Sequence, residues 1–519
     1  MIEPVVDIRA LQGSRVADWL RISAEAFPDR VCYATATSEQ TFAQTNVRVN
    51  QLATALQARG ITKGDRVALF ATDSPRFMEV LLACMKLGAI YVPLNFRLAV
   101  PELQALLRAS APRILFLSDR YADHVAAVDA PSLELSVSLD SGGGDIGFEA
   151  LLAEGEDREI DTPMLDHELM CLAFTSGTTA LPKGVMHSQR MVKHMIDQCI
   201  VDARMTSISF HYSAAPLFHV GGMLYALSGV ARGHSSLILS AFDADTAIEW
   251  MASGRLDGIF LVPTMIDTIL QRPGIEHHDF SSVKSIRYGA APMSPTLLRR
   301  VFEVFGQDTD LMNVFGAGTE AGLQTVLTPE DHLLARDGRH ELLGSIGKAG
   351  VGVVLRLCDD DMNDVGNGEV GEIVTRSNAV MSGYMGQPEA TASVLVDGWF
   401  RGGDLASRDA NGYLYLHGRK KDMIIRGGEN IYPAEIEEVL NSHSAIREAA
   451  VVGQQDEHWG EIVRAHVVLV EGATFDEDTV RSYCRELLAH YKIPAVFRVD
   501  DDLPRNASGK VLKRELRQL

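Results

Sequence analysis

No apolar run in this chain of 519 residues reaches the roughly 18 residues that a bilayer-spanning helix needs, so no integral membrane segment is expected. Positive charge is also short: 48 Lys and Arg stand against 69 Asp and Glu, a formal net charge of −21. So acidic a surface does not attract nucleic acid or an anionic membrane, although local lysines and arginines can still collect an anionic small molecule. The six cysteines (Cys32, Cys84, Cys171, Cys199, Cys358, Cys484) include no CxxC pair. Most lie in apolar surroundings such as Leu81-Leu82-Ala83-Cys84, which reads as buried reduced thiols and fits a cytoplasmic location. The opening MIEPVVDIRALQ carries acids and no long apolar core, so no signal peptide is expected. Neither a tandem repeat nor a low-complexity tract is visible.

What is present is ample core. The chain is 46% hydrophobic and 23% charged, and its length suggests three or four folding units at about 150 residues each. Val49, Leu52, Ala53 and Leu56 recur at helical spacing before Gly60. "RVALF" (66–70) reads as a buried strand, Ser74-Pro75 opens a helix that stops at Gly88, and "AIYVP" and "RILFL" follow as strands around a helix begun by Pro101. The rhythm resumes with strand candidates at 235–240, 258–263 and 285–292. Repeated strand–helix–strand units predict α/β architecture, a parallel sheet with helices on both faces. From about 344 to 376 the texture turns to short β runs with Gly and Asp turns, more like a small barrel. The last hundred residues read as a compact α+β unit.

The stretch "TSGTTALPKG" (175–184) concentrates small and hydroxyl residues ahead of one stiffly held lysine. Gly177 lets backbone amides approach a ligand, the hydroxyls of Thr175, Ser176, Thr178 and Thr179 add donors without bulk, and Lys183 supplies a point cation between Pro182 and Gly184. Such a loop suits a polyphosphate. It is not the GxxxxGK[ST] loop, and by composition alone it could be a surface linker, but its apolar flanks argue otherwise.

Further stretches follow in a fixed order: "PLFHVGG" (216–222), "YGAAP" (288–292), "FGAGTE" (315–320), "DGWFRGGDLASRDANGYLYLHGRKKDMI" (397–424), "RGGENIYPAEIE" (426–437) and "LPRNASGKVLKREL" (503–516). Together with the glycine-rich loop, they resemble the adenylate-forming superfamily, specifically its acyl-CoA synthetases, over essentially the whole chain from about residue 29. The resemblance implies a large N-terminal domain of two sheet subdomains plus a small β-barrel (1–420) and a mobile α+β C-terminal domain (421–519). It implies activation of a carboxylic acid by ATP and Mg²⁺ to an acyl-adenylate, then transfer to coenzyme A. Three departures stand out: Ala180 replaces the usual glycine, Gly402 the usual threonine, and "FGAGTE" has Phe for Tyr and one extra residue.

By the same resemblance, Lys510 bridges the attacking carboxylate and the α-phosphate, where cations must neutralise charge as it develops. In isolation it would be an ordinary lysine of a basic tail. Glu320, helped by Thr175, would hold Mg²⁺, which takes hard oxygen ligands; alone it could be an acid complementing a helix dipole. Thr319 would meet the α-phosphate, while Asp404 and Arg419 match the pair that binds ribose. Gly289, Ala290 and Ala291, with Phe315, would form the adenine wall. His219 would gate the acyl site, with Val262 and Thr264 lining it, or else pack in the core. Lys421 matches the hinge, and Arg426, Gly427 and Gly428 would line the pantetheine channel. No cation is obvious along the pocket stretches, so an apolar fatty or aryl monoacid is expected. The rival reading is an adenylation enzyme that loads a carrier protein. His277-His278 lacks partners at ligand spacing, so no zinc site is expected.

Overall fold

The computed structural model describes residues 15–140, 142–175, 182–289, 293, 295–505 and 511–519. Among them, three sheets organise the chain. The first has seven strands, in the spatial order Ile146–Gly147, Leu135–Ser138, Ile114–Leu117, Arg66–Phe70, Ile90–Pro93, Leu169–Thr175 and Lys183–Ser188. All neighbours are parallel until the last pair, which is antiparallel. The helix Pro75–Leu87 shows why the local reading worked. Ser74 caps it by accepting from the Phe77 N–H at 3.3 Å, and Gly88 ends it at φ 67°.

The second sheet has fourteen strands. Its parallel centre runs Ser235–Leu237, Phe210–Ser213, Gly258–Leu261, Ser285–Gly289, Asp310–Phe315. Val31–Ala34 pairs with Ser235–Leu237 and, on its other side, with Glu39–Thr41 at the edge, so a segment near the start of the chain completes a sheet built two hundred residues later. Toward the other edge Thr325–Leu327 turns antiparallel and leads into Ser345–Ala349, Leu414–Arg419, Trp399–Arg408, Gly371–Arg376 and Val354–Cys358, so the β runs expected at about 344–376 are joined by two strands from beyond that span. Ile346, Leu357, Ile373, Ala406 and Leu414 form their own small core.

The third sheet draws only on residues from Ile424 onward, with five strands and a separate core of Ile431, Ile436, Leu440, Val451 and Val463. Helices Pro433–Asn441 and Glu477–Leu487 belong to this unit. All six cysteines are buried and unbridged. The parallel strands of the first two sheets end near Thr175, Ser213, Gly289 and Phe315, and open α/β sheets bind ligands beyond such carboxyl ends.

Candidate active site

The glycine-rich stretch lies in the chain between two strands that pair with each other. Leu169–Thr175 pairs antiparallel with Lys183–Ser188, so Thr175 stands directly opposite Lys183. Ser176, Gly177, Thr178 and Thr179 lie outside the described residues, as do Ala290, Ala291 and Lys510.

A strap that the sequence reading missed ties this hairpin to the acid. Along residues 381–385, Met186 N–H donates to the Gly383 carbonyl at 3.0 Å, Ser382 N–H to the Met186 carbonyl at 3.0 Å, and Met385 N–H to the Gly184 carbonyl at 2.8 Å. The same strap reaches the single-turn helix Gly318–Ala321, where Met381 N–H donates to the Glu320 carbonyl at 2.8 Å. Its Tyr384 joins the two side chains: Lys183 Nζ sits 4.6 Å from the ring centroid, and the phenol donates to Glu320 Oε1 at 3.4 Å. Only an aromatic between two glycines marked this position in the sequence.

Glu320 lies in a largely desolvated place, and burial raises its carboxyl pKa above the ordinary range. Arg419, its own backbone, the Tyr384 hydroxyl and Lys183 pull the other way. One long hydroxyl contact leaves most of its lone pairs unused, and an anionic oxygen with spare lone pairs suits a hard divalent cation. His187 steadies the turn from beneath: its Nε2–H donates to the Thr319 carbonyl at 2.7 Å, and burial lowers the imidazole to about 4, so the ring stays neutral.

Asp404 and Arg419 face each other across adjacent strands, with Nε donating to Oδ1 at 2.8 Å. The guanidinium also reaches the Gly402 carbonyl at 3.3 Å. Phe315 ends its strand and packs against the Ile346–Leu357–Ile373 cluster. At Gly289 the sheet itself demands glycine, since a Cβ would lie 2.3 Å from the Val314 carbonyl oxygen.

His219 is the N-cap of the helix Val220–Arg232, its Nδ1 accepting from the Gly221 N–H at 3.2 Å. Burial lowers its pKa, which keeps the ring neutral with the proton on Nε2. Val262 precedes the helix Pro263–Leu270, and Thr264 in its first turn is exposed. Arg426, Gly427 and Gly428 form a tight hairpin turn, both glycines at positive φ (60° and 91°). A Cβ on Gly427 would sit 2.8 Å from the Trp459 ring, and the Arg426 guanidinium lies 5.4 Å from that ring's centroid. Turn geometry and this indole therefore account for glycine at 427. Lys421 lies in the short turn Lys420–Asp422, where Arg517 reaches its carbonyl at 3.4 Å and the Asp422 carboxylate at 3.0 Å.

The hairpin cation Lys183, the half-buried Glu320 and the Asp404–Arg419 pair thus lie near one another, with Glu320 within electrostatic reach of both Lys183 and Arg419. The AMP-binding enzyme model matches residues 20–385, and that of the AMP-binding enzyme C-terminal domain matches 435–510. The chain belongs to the AMP-binding enzyme family. This AMP-binding enzyme is 35% identical to the indoleacetate–CoA ligase of Aromatoleum aromaticum over 97% of this chain and 98% of that protein. It is 37% identical to a feruloyl-CoA synthase of Amycolatopsis sp, covering 92% and 93% of the two chains. Among solved structures, the ATP-bound MatB of Rhodopseudomonas palustris superimposes with a TM-score of 0.88 at 28% identity, covering 97% of this chain and 98% of that one. The enzyme activates a carboxylic acid with ATP to an acyl-adenylate and transfers the acyl group to CoA, with Mg²⁺ as its metal.

Proposed function

We propose that this AMP-binding enzyme divides its two half-reactions among the residues as follows, and that it acts in the cytoplasm on an apolar-bodied, aryl or fatty monoacid. Lys183 and the amides of the glycine-rich stretch collect the β- and γ-phosphates. Glu320 and Thr175 hold Mg²⁺, which when bound neutralises charge on the phosphate oxygens. Thr319 hydrogen-bonds the α-phosphate, Asp404 and Arg419 take the ribose hydroxyls, and Gly289 to Ala291 with Phe315 border the adenine. Lys510 offsets the repulsion between the incoming carboxylate and the α-phosphate. His219, neutral and fixed by its own helix, gates the passage between the acid and the thiol.

For the second half-reaction, residues 421–519 turn about Lys421, withdrawing Lys510 and bringing Arg426, Gly427 and Gly428 to the pantetheine channel. Supporting this division, the third sheet begins at Ile424, just beyond the proposed boundary. Supporting the location, no helix among the described residues is long and apolar enough to cross a membrane. The acid preference draws on the relatives named for indoleacetate and ferulate.

The observation that carries the reading is Glu320: half-buried and largely desolvated, near Lys183 and Arg419 without an ion pair to either among the described residues, and holding one hydroxyl contact at 3.4 Å. The test separates the half-reactions. Lys510→Ala should abolish pyrophosphate release while largely sparing thioester formation from supplied acyl-adenylate. Equal loss of both in single-turnover assays contradicts the role, and acyl transfer to a carrier protein in preference to CoA would favour the rival acceptor.

A further inference from the structure

The turn Lys420–Asp422 joins two lengths of chain that are anchored to different bodies. On its N-terminal side the strand Leu414–Arg419 ends in Arg419, whose Nε donates to Asp404 Oδ1 at 2.8 Å and whose Nη2 reaches the Gly402 carbonyl at 3.3 Å. The ammonium of Lys420 pairs with Asp360 and lies 3.8 Å from the Glu372 carboxylate. Glu372 is buried and fixed in turn by Arg401 at 2.6 Å and by the Gly403 N–H at 3.2 Å. All these partners lie on or beside strands of the second sheet, so Arg419 and Lys420 are fastened to the N-terminal unit.

The other side is fastened from the end of the chain. Arg517 Nη2 donates to the Asp422 carboxylate at 3.0 Å and reaches the Lys421 carbonyl at 3.4 Å. Arg517 is itself anchored. Leu516 before it is 0% exposed in a small core with Val452, Val468 and Leu503, and its carbonyl accepts from Arg464 at 2.6 Å. Two residues past Asp422 the third sheet begins at Ile424, also fully buried. With Asp422 16% exposed and Arg517 33%, this pair is better shielded than an ordinary surface ion pair.

Lys421 stands between the two grips, and peptide planarity leaves it two soft torsions. Turning about them carries the Lys421 carbonyl along with everything after it, so both Arg517 bonds travel intact. The bonds of the turn itself do not. Met423 N–H donates to the Arg419 carbonyl at 3.1 Å and the Lys420 carbonyl at 3.4 Å, across those torsions, and rotation parts them. Exchanging one such shared bond for water has a modest net cost, which suits a joint that opens in every cycle. Asp422 is also within electrostatic reach of Arg419, on the far side of the joint. The bond to Arg517 keeps that carboxylate with the C-terminal unit.

Resting on the proposed turn about Lys421, we infer that Arg517 and Asp422 are positioning residues for the thioester half-reaction. Their ion pair, set against the grip of Lys420 on Asp360 and Glu372, confines the rotation to one residue. A swing about two torsions has a defined end point, so Arg426, Gly427 and Gly428 arrive in register with the channel. Without Arg517, Asp422 is drawn towards Arg419, the swivel spreads to neighbouring residues and the end point is lost.

The test uses the full chain in single-turnover assays that read pyrophosphate release and acyl-CoA formation separately, with the fastest of indoleacetic, ferulic and octanoic acids. Arg517→Met and Asp422→Asn should each slow acyl transfer to CoA by about tenfold through misplacement of the arriving loop, while pyrophosphate release stays within about twofold of wild type. The double variant should be no slower than the slower single one, because both break one pair. Arg517→Lys, which keeps the charge, should transfer faster than Arg517→Met. Melting curves accompany each variant, and Asp422→Asn decides the matter if Arg517→Met fails to fold. Equal loss of both steps, unchanged acyl transfer, or losses that multiply in the double variant overturn the inference. Lys421→Pro, which fixes φ at about −65°, tests the hinge separately. If that variant folds and makes acyl-CoA at the wild-type rate, the turn about Lys421 fails and the inference with it. If it stalls after pyrophosphate release while Arg517→Met and Asp422→Asn do not, the hinge stands and only the grip fails.

Discussion

Two glutamates withdrawn from water in this enzyme have opposite surroundings. Glu79, in the helix Pro75–Leu87, is fully buried and fully supplied: Arg48 donates to both of its oxygens at 2.7 and 3.1 Å, and Gln40 adds a bond at 2.7 Å. Glu320 is largely desolvated too, but among the described residues the one other side chain that donates to it is Tyr384, over a long bond. A buried carboxylate with its bonds complete holds a fold together. One left short has room for something that arrives later, and that shortage marks function more clearly than burial does.

The sharpest way to break this comparison is to neutralise each acid in turn. Glu320→Gln should lower Mg²⁺-dependent adenylation by about a hundredfold, the scale of losing one preorganised charge-stabilising group. It should cost no stability, because the amide removes a carboxylate that burial already disfavours. Folding binds a proton at a carboxyl whose pKa is raised, so wild type should lose stability relative to the variant as pH climbs through that folded pKa. A Mg²⁺ dependence identical to wild type would remove Glu320 from the metal site.

Glu79→Gln should do the reverse. Breaking a buried pair costs about 3–5 kcal/mol, and because Arg48 keeps Glu149 at 2.8 Å the expected loss here is about 2–3 kcal/mol. Denaturant unfolding measures it, and kcat per folded molecule should stay near wild type. A selective loss of turnover without destabilisation would dissolve the contrast between the two acids.

Tyr384→Phe sharpens the Glu320 side with a smaller effect. Deleting one hydroxyl removes about 1 kcal/mol of help to the carboxylate, a several-fold rise in the Mg²⁺ concentration needed for half-maximal rate. Since that bond lowers the carboxyl pKa, losing it should move the acid limb of the rate profile to higher pH. An unmoved limb would reduce Tyr384 to packing against Lys183.

What the sequence disclosed and what it hid divide along the same line. Strands such as Arg66–Phe70 and the Ser74-to-Gly88 helix were legible because propensity, capping and periodicity act within a few residues. Lys183 and Glu320 could be singled out for their proposed roles because their motifs are contiguous. Tyr384 and His187 were not, because each matters through a partner far along the chain: Tyr384 across 64 residues to Glu320, His187 across 132 to Thr319. Pairing of Val31–Ala34 with Ser235–Leu237 was hidden for the same reason. Gly289 and Gly427 were visible as glycines, but the neighbours that require them, the Val314 carbonyl and Trp459, come from the fold.

A third acid tests the comparison at its weak end. Asp73 stands just before the Ser74 cap and accepts from the Leu217 N–H at 3.0 Å, holding the turn that leads to His219. It borders a small cavity with His211, Ser213, Gly222 and Ala226. Burial pushes its carboxyl up to about 7, with the Leu217 bond and Arg97 pulling down. It is better supplied than Glu320 and worse than Glu79, so its removal should be felt least. Asp73→Asn keeps an acceptor for Leu217 and abolishes the titration. The unfolded chain ionises Asp73 near pH 4, whereas the folded chain holds the proton to about 7, so wild type loses stability as pH rises across that window. The Asn variant's melting temperature should therefore gain on wild type from about pH 4 to about pH 7, by a few degrees, then run parallel. A constant gap over that range would mean that Asp73 ionises like an exposed carboxylate, and that the turn before His219 is held without reference to its charge.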